Sequence, residues 1–590
     1  MKGFLKTTLA SFLGICIYSV LSITLVFFII GAIASIGNKT VIMPSEAVLT
    51  IDFSEISISE QTTEAPLIEA IRNIEAPEHL GILSAVAAIN AATFDPAVKF
   101  IFIKPDEVSG GIAQIEEVRN ALLKFRESGK AVVAYMENPT NGGYYLASAS
   151  DKIYMTPYAG GMNMFNGLSS QMIFLKDALD KLDINVQLIR HGKYKSAGEM
   201  YIRNSSSKEN MEQNTAMIAS MWSSWRGEIA QARCLSPERI DEMLDNLELE
   251  DPQDFLEKGL VDELVTRDQL QEKLAMLYMT ENYKDVKSIS LADYSQLHTA
   301  GNPLGSNKIA VIYAEGNIVD GNSIEDVAGD RFARIIQSVR EDDDVKAVVL
   351  RVNSPGGSVL ASEKIKAQID SLQTKVPVIA SYGDYAASGG YWISAGCDFI
   401  YSDKTTLTGS IGVFSMIPDF QGTVRNKLNI NITAVNSNEH ADMYGMMRPL
   451  TQQEEAYMQK SVENIYDKFT ALVSKGRGME VSEVDNIAQG RVWTGAQALE
   501  IGLVDAIGSL EDAIIHAARL TGAENGLDDI RIEEYPKPMT TAEKIAVMLE
   551  DGTEMEIHGA LKSIYSAFRT WNESQSGKVY ARLPYAIDIR

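Results

Sequence analysis

The sequence predicts an α/β fold built twice in tandem behind one apolar N-terminal helix. Three observations predict it: a long uncharged run at the start, short motifs that recur at nearly fixed spacing, and β-branched stretches alternating with amphipathic ones in each copy. At 590 residues the chain exceeds what one hydrophobic core supports. With 45% apolar and 22% charged residues it has an ordinary globular composition.

The N-terminal element comes first. Lys2 and Lys6 precede a stretch from Thr7 to Asn38 that carries no charge. A bilayer span needs roughly 20 apolar residues, whereas the apolar region of a secretory signal runs to about 7–15. Phe12–Ile36 is therefore long enough to stay in a membrane, and residues 1–43 are expected to form a transmembrane anchor. Removal as a signal peptide at Gly31-Ala-Ile-Ala34 is the alternative. The leading lysines favour a cytoplasmic N-terminus, although Lys39 weakens the asymmetry, and the bulk of the chain is expected outside the cytoplasm.

The tandem halves follow from self-similarity. Gly389-Gly-Tyr391 repeats Gly142-Gly-Tyr144, Asp398 repeats Asp151 and Lys346 repeats Lys99, each 247 residues apart. Lys427-Leu-Asn-Ile-Asn431 repeats Lys181-Leu-Asp-Ile-Asn185 at 246, and Gly502-Leu-Val-Asp505 repeats Gly259-Leu-Val-Asp262 at 243. The expected divisions are 44–298 and 299–536, with a Gly/Pro/Asn-rich linker at Thr299–Asn307 and a tail, 537–590. Buried strands are expected at Ile309–Tyr313, Ala347–Val352, Val376–Ser381 and Phe399–Tyr401, and helices at Arg331–Val339 and Ala361–Leu372. The tail carries one helical stretch, Ala542–Leu549.

Composition narrows the chemistry. A formal net charge of -26 argues against general binding to nucleic acid or anionic lipid. Cys16, Cys234 and Cys397 have neither the spacing of a zinc site nor that of a disulfide framework. Asn353-Ser-Pro-Gly-Gly-Ser358 lies between an expected strand and helix, where its glycines suit either an oxyanion hole or a plain tight turn. In Ala386-Ala-Ser-Gly-Gly390 a serine surrounded by small residues stands at another strand-to-helix passage. Ser388 reads equally well there as a nucleophile beside a backbone oxyanion donor, Gly389 N–H, and as a helix N-cap.

Comparing the halves separates the two readings. Position 388 corresponds to Asn141, so the first half keeps the Gly-Gly scaffold but lacks the hydroxyl. A serine nucleophile needs a base; His191 and His440 have no evident carboxylate orienter, and lysine is the other known activator. Lys195, in His191-Gly-Lys-Tyr-Lys-Ser-Ala197, follows the expected strand Asn185–Ile189, and its counterpart in the second half is Ala441. Either residue alone is an ordinary surface lysine or packed serine. Their reciprocal loss is what one site shared by two duplicated domains would leave.

Together, Gly192-Lys-Tyr-Lys-Ser-Ala197, Ser354-Pro-Gly-Gly357, Asp384-Tyr-Ala-Ala-Ser-Gly-Gly-Tyr391 and Leu407-Thr-Gly-Ser-Ile-Gly412 make the chain resemble the signal peptide peptidase A (protease IV) family in its long, duplicated, membrane-anchored form. The resemblance spans nearly the whole chain. It implies two tandem domains similar to the Clp protease and crotonase group, and a homotetrameric bowl enclosing the sites. It also implies a single-pass location in the bacterial inner membrane with the catalytic domains on the extracytoplasmic, periplasmic side. The implied substrates are cleaved signal peptides and other apolar peptides. Carried onto this sequence, it makes Ser388 the nucleophile and Lys195 the general base, with Lys193 as the rival base. Gly389, with Gly356 or Gly357, would form the oxyanion hole, and Ser410 would orient the lysine, a turn-capping serine being the other reading of that residue. It requires no metal and no cofactor. A crotonase-type acyl-CoA enzyme and a non-catalytic membrane scaffold are the competing readings.

Overall fold

In a computed structural model of the protein, the residues described are 14, 41–63, 77–523, 526–539 and 580–582. Apart from Gly14, the expected span Phe12–Ile36 and the expected helix Ala542–Leu549 lie outside them. Among the described residues no helix is long and apolar enough to cross a membrane.

The first half builds a six-stranded parallel sheet. Its strands are β1 (Ala47–Asp52), β2 (Val98–Lys104), β3 (Val132–Met136), β4 (Lys152–Met155), β6 (Glu263–Leu264) and β7 (Ser288–Ser290), and β5 (Asn185–His191) leaves it for another sheet. Helices α1 (Ile112–Glu127), α2 (Asn141–Ala147) and α3 (Lys208–Arg233) belong to the same half. The second half has β8 (Asn307–Glu315), β9 (Ile318–Val319), β10 (Val327–Ala328), β11 (Val345–Ser354), β12 (Gly356–Ser358), β13 (Val378–Ala387), β14 (Phe399–Ser402), β15 (Leu407–Gly409), β16 (Val413–Asp419), β17 (Val492–Thr494), β18 (Ala506–Ile507) and β19 (Ile530–Tyr535). Its helices include α4 (Gly329–Glu341), α5 (Val359–Gln373), α6 (Gly389–Ser394), α7 (Gln452–Arg477) and α8 (Leu510–Leu520).

The expected strands and helices of the second half fall inside β8, β11, β13, β14, α4 and α5. One boundary differs. β13 begins at Val378 rather than Val376, because Pro377 has no N–H to give a ladder, and it runs on to Ala387. Both faces of β11 and β13 are buried under helices, which is why they read as near-continuous apolar runs.

The duplication is visible in the topology. The first sheet runs β6-β4-β3-β2-β1-β7, and the matching strands of the second run β18-β14-β13-β11-β8-β19. The recurring motifs also make the same bonds. Asp151 accepts the Val132 N–H at 2.8 Å, and Asp398 accepts that of Val378 at 2.7 Å. Tyr144 donates its hydroxyl to Leu260 O at 2.7 Å, and Tyr391 to Leu503 O at 2.8 Å. A Cβ on Gly143 would sit 2.6 Å from Pro105 O, and one on Gly390 equally close to Ser354 O, so glycine lets the helix pack on the strand end in both copies. The repeated residues are thus the ones that close each α/β unit.

The halves do not stand apart. Ile309, Val311, Leu510 and Ile514 of the second half share one buried cluster with Ile51, Ile89, Phe125 and Tyr145 of the first. A third, mixed sheet runs β10-β9-β12-β20-β16-β5, where β20 is the segment Tyr580–Arg582. In it β5 pairs antiparallel with β16 over seven residues, from Asn185↔Asp419 to His191↔Val413. Polar groups are also buried between the halves. Arg351 of β11 is fully enclosed and donates to Glu60 Oε2 at 2.7 Å, Glu117 Oε1 at 2.8 Å, Ser381 Oγ at 3.0 Å and Tyr382 O at 2.9 Å.

Beside this cluster Glu116 is buried and accepts the Thr405 hydroxyl at 3.1 Å. Burial, reinforced by the nearby Glu228, pushes its carboxyl up to about 7. A folded-state value above the unfolded one means that the folded chain holds this proton more tightly, so stability falls as pH rises from 4.5 to about 7. Glu116→Gln mimics the protonated form. It is expected to raise the melting temperature at pH 8, by an effect on the order of 1 kcal/mol, and to match the parent at pH 5; thermal unfolding at the two values checks this.

Candidate active site

Ser388 joins β13 to α6 and adopts φ 57° and ψ -109°, a conformation that strains a residue with a Cβ. It is fastened on both sides. Its N–H donates to Gly409 O of β15 at 2.8 Å, and its carbonyl accepts the Trp392 N–H of α6 at 2.8 Å. The Trp392 ring packs 4.5 Å from that of Phe469 on α7, which ties α6 to that helix. The result is a fully buried hydroxyl at the head of a short helix.

Lys195 reaches this hydroxyl from the other half. Its Nζ lies 2.8 Å from Ser388 Oγ, 3.0 Å from Ser410 Oγ and 3.0 Å from Ser410 O. All three side chains are inaccessible to solvent. Among the described residues no carboxylate bonds the amine, and burial holds it well below the ordinary lysine value. Ser410, itself at φ 49°, is fixed by its N–H to Arg491 O at 2.7 Å.

The lysine loop is built from both halves. Its strand β5 lies in the third sheet, and the Tyr194 N–H donates to Gln489 O at 2.9 Å. Gln213 on α3, itself buried, donates to Tyr194 O and Ser196 Oγ, each at 3.1 Å, while Arg190 donates to Lys195 O at 2.7 Å. Gly490, at φ 77°, passes so close that a Cβ there would meet the Lys195 Cβ at 2.6 Å. The backbone at Lys195 is thereby fixed from both halves.

The other sequence candidates sort clearly. Lys193 is exposed, with Nζ over the Tyr194 ring at 5.0 Å, and does not enter the site. Gly389 opens α6, where first-turn N–H groups have no intrahelical acceptor. Gly356 and Gly357 lie in β12, next to the Ser354 end of β11, and the Gly356 N–H donates to Ser354 Oγ at 3.2 Å. The edge of β12 is taken by an extended segment: β20 pairs with it antiparallel, Gly357 opposite Ala581. Asn141, the counterpart of Ser388, spends its amide on Asn166 and Gly167, and Ala441, the counterpart of Lys195, is exposed. The single Lys195–Ser388 contact is made within one chain.

Of three features that the sequence candidates did not include, two leave no sequence signal. The strained φ of Ser388 has no sequence mark, since serine carries no bias towards it. Gln213 looks like any polar helix residue. Gly490 is the exception, because a glycine beside Arg491 ahead of a strand is a signal for a tight backbone approach.

The model of Peptidase family S49 matches residues 124–280 and again 370–524. Protease 4 of Haemophilus influenzae is 33% identical over 555 residues, covering 90% of this chain and 87% of that protein. The chloroplastic serine protease SPPA of Arabidopsis thaliana is 32% identical over 72% of this chain and 63% of its own length. A putative signal peptide peptidase SppA of Enterococcus faecium is 34% identical over 40% of this chain and 69% of its own. The two family matches lie one in each half, and the second contains Ser388.

Proposed function

This chain belongs to peptidase family S49 and is a serine protease; on that premise we propose that Ser388 and Lys195 form its Ser-Lys dyad. The observation that carries the reading is the 2.8 Å contact between Lys195 Nζ and Ser388 Oγ in a fully buried site. A neutral amine has two N–H donors and one lone pair. The two oxygens of Ser410 take the donors, which turns the lone pair towards the Ser388 hydroxyl.

The reaction then runs through an acyl-enzyme. Lys195 takes the Ser388 proton as Oγ attacks the scissile carbonyl. The oxyanion faces the Gly389 N–H and a backbone N–H of Gly356 or Gly357. Collapse breaks the C–N bond, and the Lys195 ammonium gives its proton to the leaving amine. A water that passes a proton to Lys195 attacks the ester and frees Ser388.

The substrate is an extended peptide added as a strand to the edge of β12, the position that β20 occupies. We assign it to the apolar class, cleaved signal peptides included. The uncharged run in residues 1–43 supports a membrane anchor, with the halves 44–298 and 299–536 outside the cytoplasm of a bacterium. A fold similar to the Clp protease and crotonase group, assembled as a homotetramer, completes the proposal.

The test is the pH dependence of Ser388 labelling by a fluorophosphonate. The lowered Lys195 value makes the neutral base available at lower pH, so the rate is expected to rise with pH and to level off well below 10.5. Lys195→Met is expected to remove that rise. Modification of another residue, or a profile unchanged in Lys195→Met, sinks the dyad.

A further inference from the structure

The strand that delivers Ser388 loses its regular pairing with β11 shortly before the serine. β13 pairs with β11 at Tyr382↔Val352 and next at Ala386↔Ser354, so three residues on β13, Gly383 to Tyr385, face the single residue Asn353. This bulge begins five residues before the strained serine. Pairing with β15 holds the strand only from Tyr385 on, through Tyr385↔Leu407, Ala386↔Thr408 and Ala387↔Gly409, so within the bulge side chains make the bonds. Thr406 Oγ1 donates to Gly383 O at 2.7 Å, and Asn353 Oδ1 accepts the Tyr385 N–H at 3.1 Å.

A further contact crosses between the halves. Asp384 Oδ1 accepts the Ala113 N–H, in the first turn of α1, at 2.8 Å. The space for that carboxylate exists because residue 111, the N-cap of α1, is glycine. A Cβ there would lie 1.6 Å from Asp384 Oδ2, although the Gly111 backbone, at φ -72°, would suit any residue. Gln114 closes the same turn from the other side, accepting the Gly111 N–H at 2.8 Å and donating to Glu60 Oε1 at 3.0 Å, a partner of Arg351.

We infer that Asp384 is a positioning residue, which uses the N-terminal turn of the first-half helix α1 to set the path of the bulged strand into Ser388. The first half thus serves the reaction twice, through Lys195 and through a backbone anchor for the nucleophile strand. Asp384 touches none of the reacting atoms; its effect passes along Tyr385, Ala386 and Ala387. The carboxyl is pushed up to about 6 by burial, so at pH 8 it is the ionised acceptor that the Ala113 N–H and the positive end of the helix favour. This inference rests on Ser388 being the nucleophile.

The experiment is a double-mutant cycle on the full-length protein at pH 8, with kcat expressed per site titrated by a fluorophosphonate. Asp384→Ala and Gly111→Ala attack the same contact from opposite halves. Each is expected to lower kcat about tenfold with KM within about twofold, and the double variant to be no worse than Asp384→Ala alone. Asp384→Asn, which keeps the shape, is expected to fall between parent and Asp384→Ala. Unchanged kcat per titrated site in Asp384→Ala, or losses that multiply in the double variant, overturns the inference, as does a loss explained wholly by fewer titratable sites. Ser388→Ala in the same assay separates the premise: activity there strikes the dyad, whereas an inactive Ser388→Ala beside a fully active Asp384→Ala strikes the positioning role alone.

Discussion

Lys195→Met is expected to lower kcat on an apolar peptide on the order of 10³-fold or more, with KM moving by less than about threefold. Methionine has nearly the length of lysine and is at ease in a dry cavity, so the substitution removes the lone pair while leaving the volume filled. It also relieves a buried amine, so the variant should melt no lower than the parent. Lys195→Arg is expected to be as inactive, because a guanidinium stays protonated and cannot accept the Ser388 proton. Steady-state kinetics on the purified protein checks both. A Lys195→Met enzyme retaining a tenth of the parental kcat would show that the serine has another base.

The second large effect concerns stability rather than chemistry. Arg351→Met is expected to destabilise the protein by about 3–5 kcal/mol, because it strands two buried carboxylates, Glu60 and Glu117, without their cation. The triple variant Arg351→Met/Glu60→Gln/Glu117→Gln, which removes the charges together, is expected to recover most of that loss. Thermal unfolding of the two variants is the measurement. A single variant as stable as the parent would mean that the halves are held by their shared apolar core alone. The contrast is informative because Arg351 bonds Ser381 and Tyr382 on β13 as well as both carboxylates of the first half. It therefore ties the strand that delivers Ser388 to the half that delivers Lys195.

Much of this architecture was legible before any coordinates. The repeated Gly-Gly-Tyr, Asp and Gly-Leu-Val-Asp motifs mark residues whose bonds are local to one α/β unit, such as Asp398 to Val378 and Tyr391 to Leu503. Interactions of that kind leave short, ordered signatures that survive duplication. Ser388 and Lys195 were legible for a different reason: each has a blank counterpart, at Asn141 and Ala441. β13 starts two residues later than the apolar run suggests, because Pro377 inside that run has no N–H to donate, a signal that the sequence does carry.

The sequence by itself determined that the chain holds two copies of one α/β unit, and which copy carries the hydroxyl and which the amine. Only the tertiary structure decided that the two meet. β5, which belongs to the first half in sequence, is hydrogen-bonded to β16 of the second, and this brings Lys195 Nζ to 2.8 Å from Ser388 Oγ in one chain. The structure likewise separated Lys195 from Lys193, burying one and leaving the other in water. The physical reason is that a lowered amine pKa and a strained serine φ belong to surroundings assembled from distant segments. Residue types and their spacing encode the parts of such a site, whereas proximity and dryness exist only after the halves have packed.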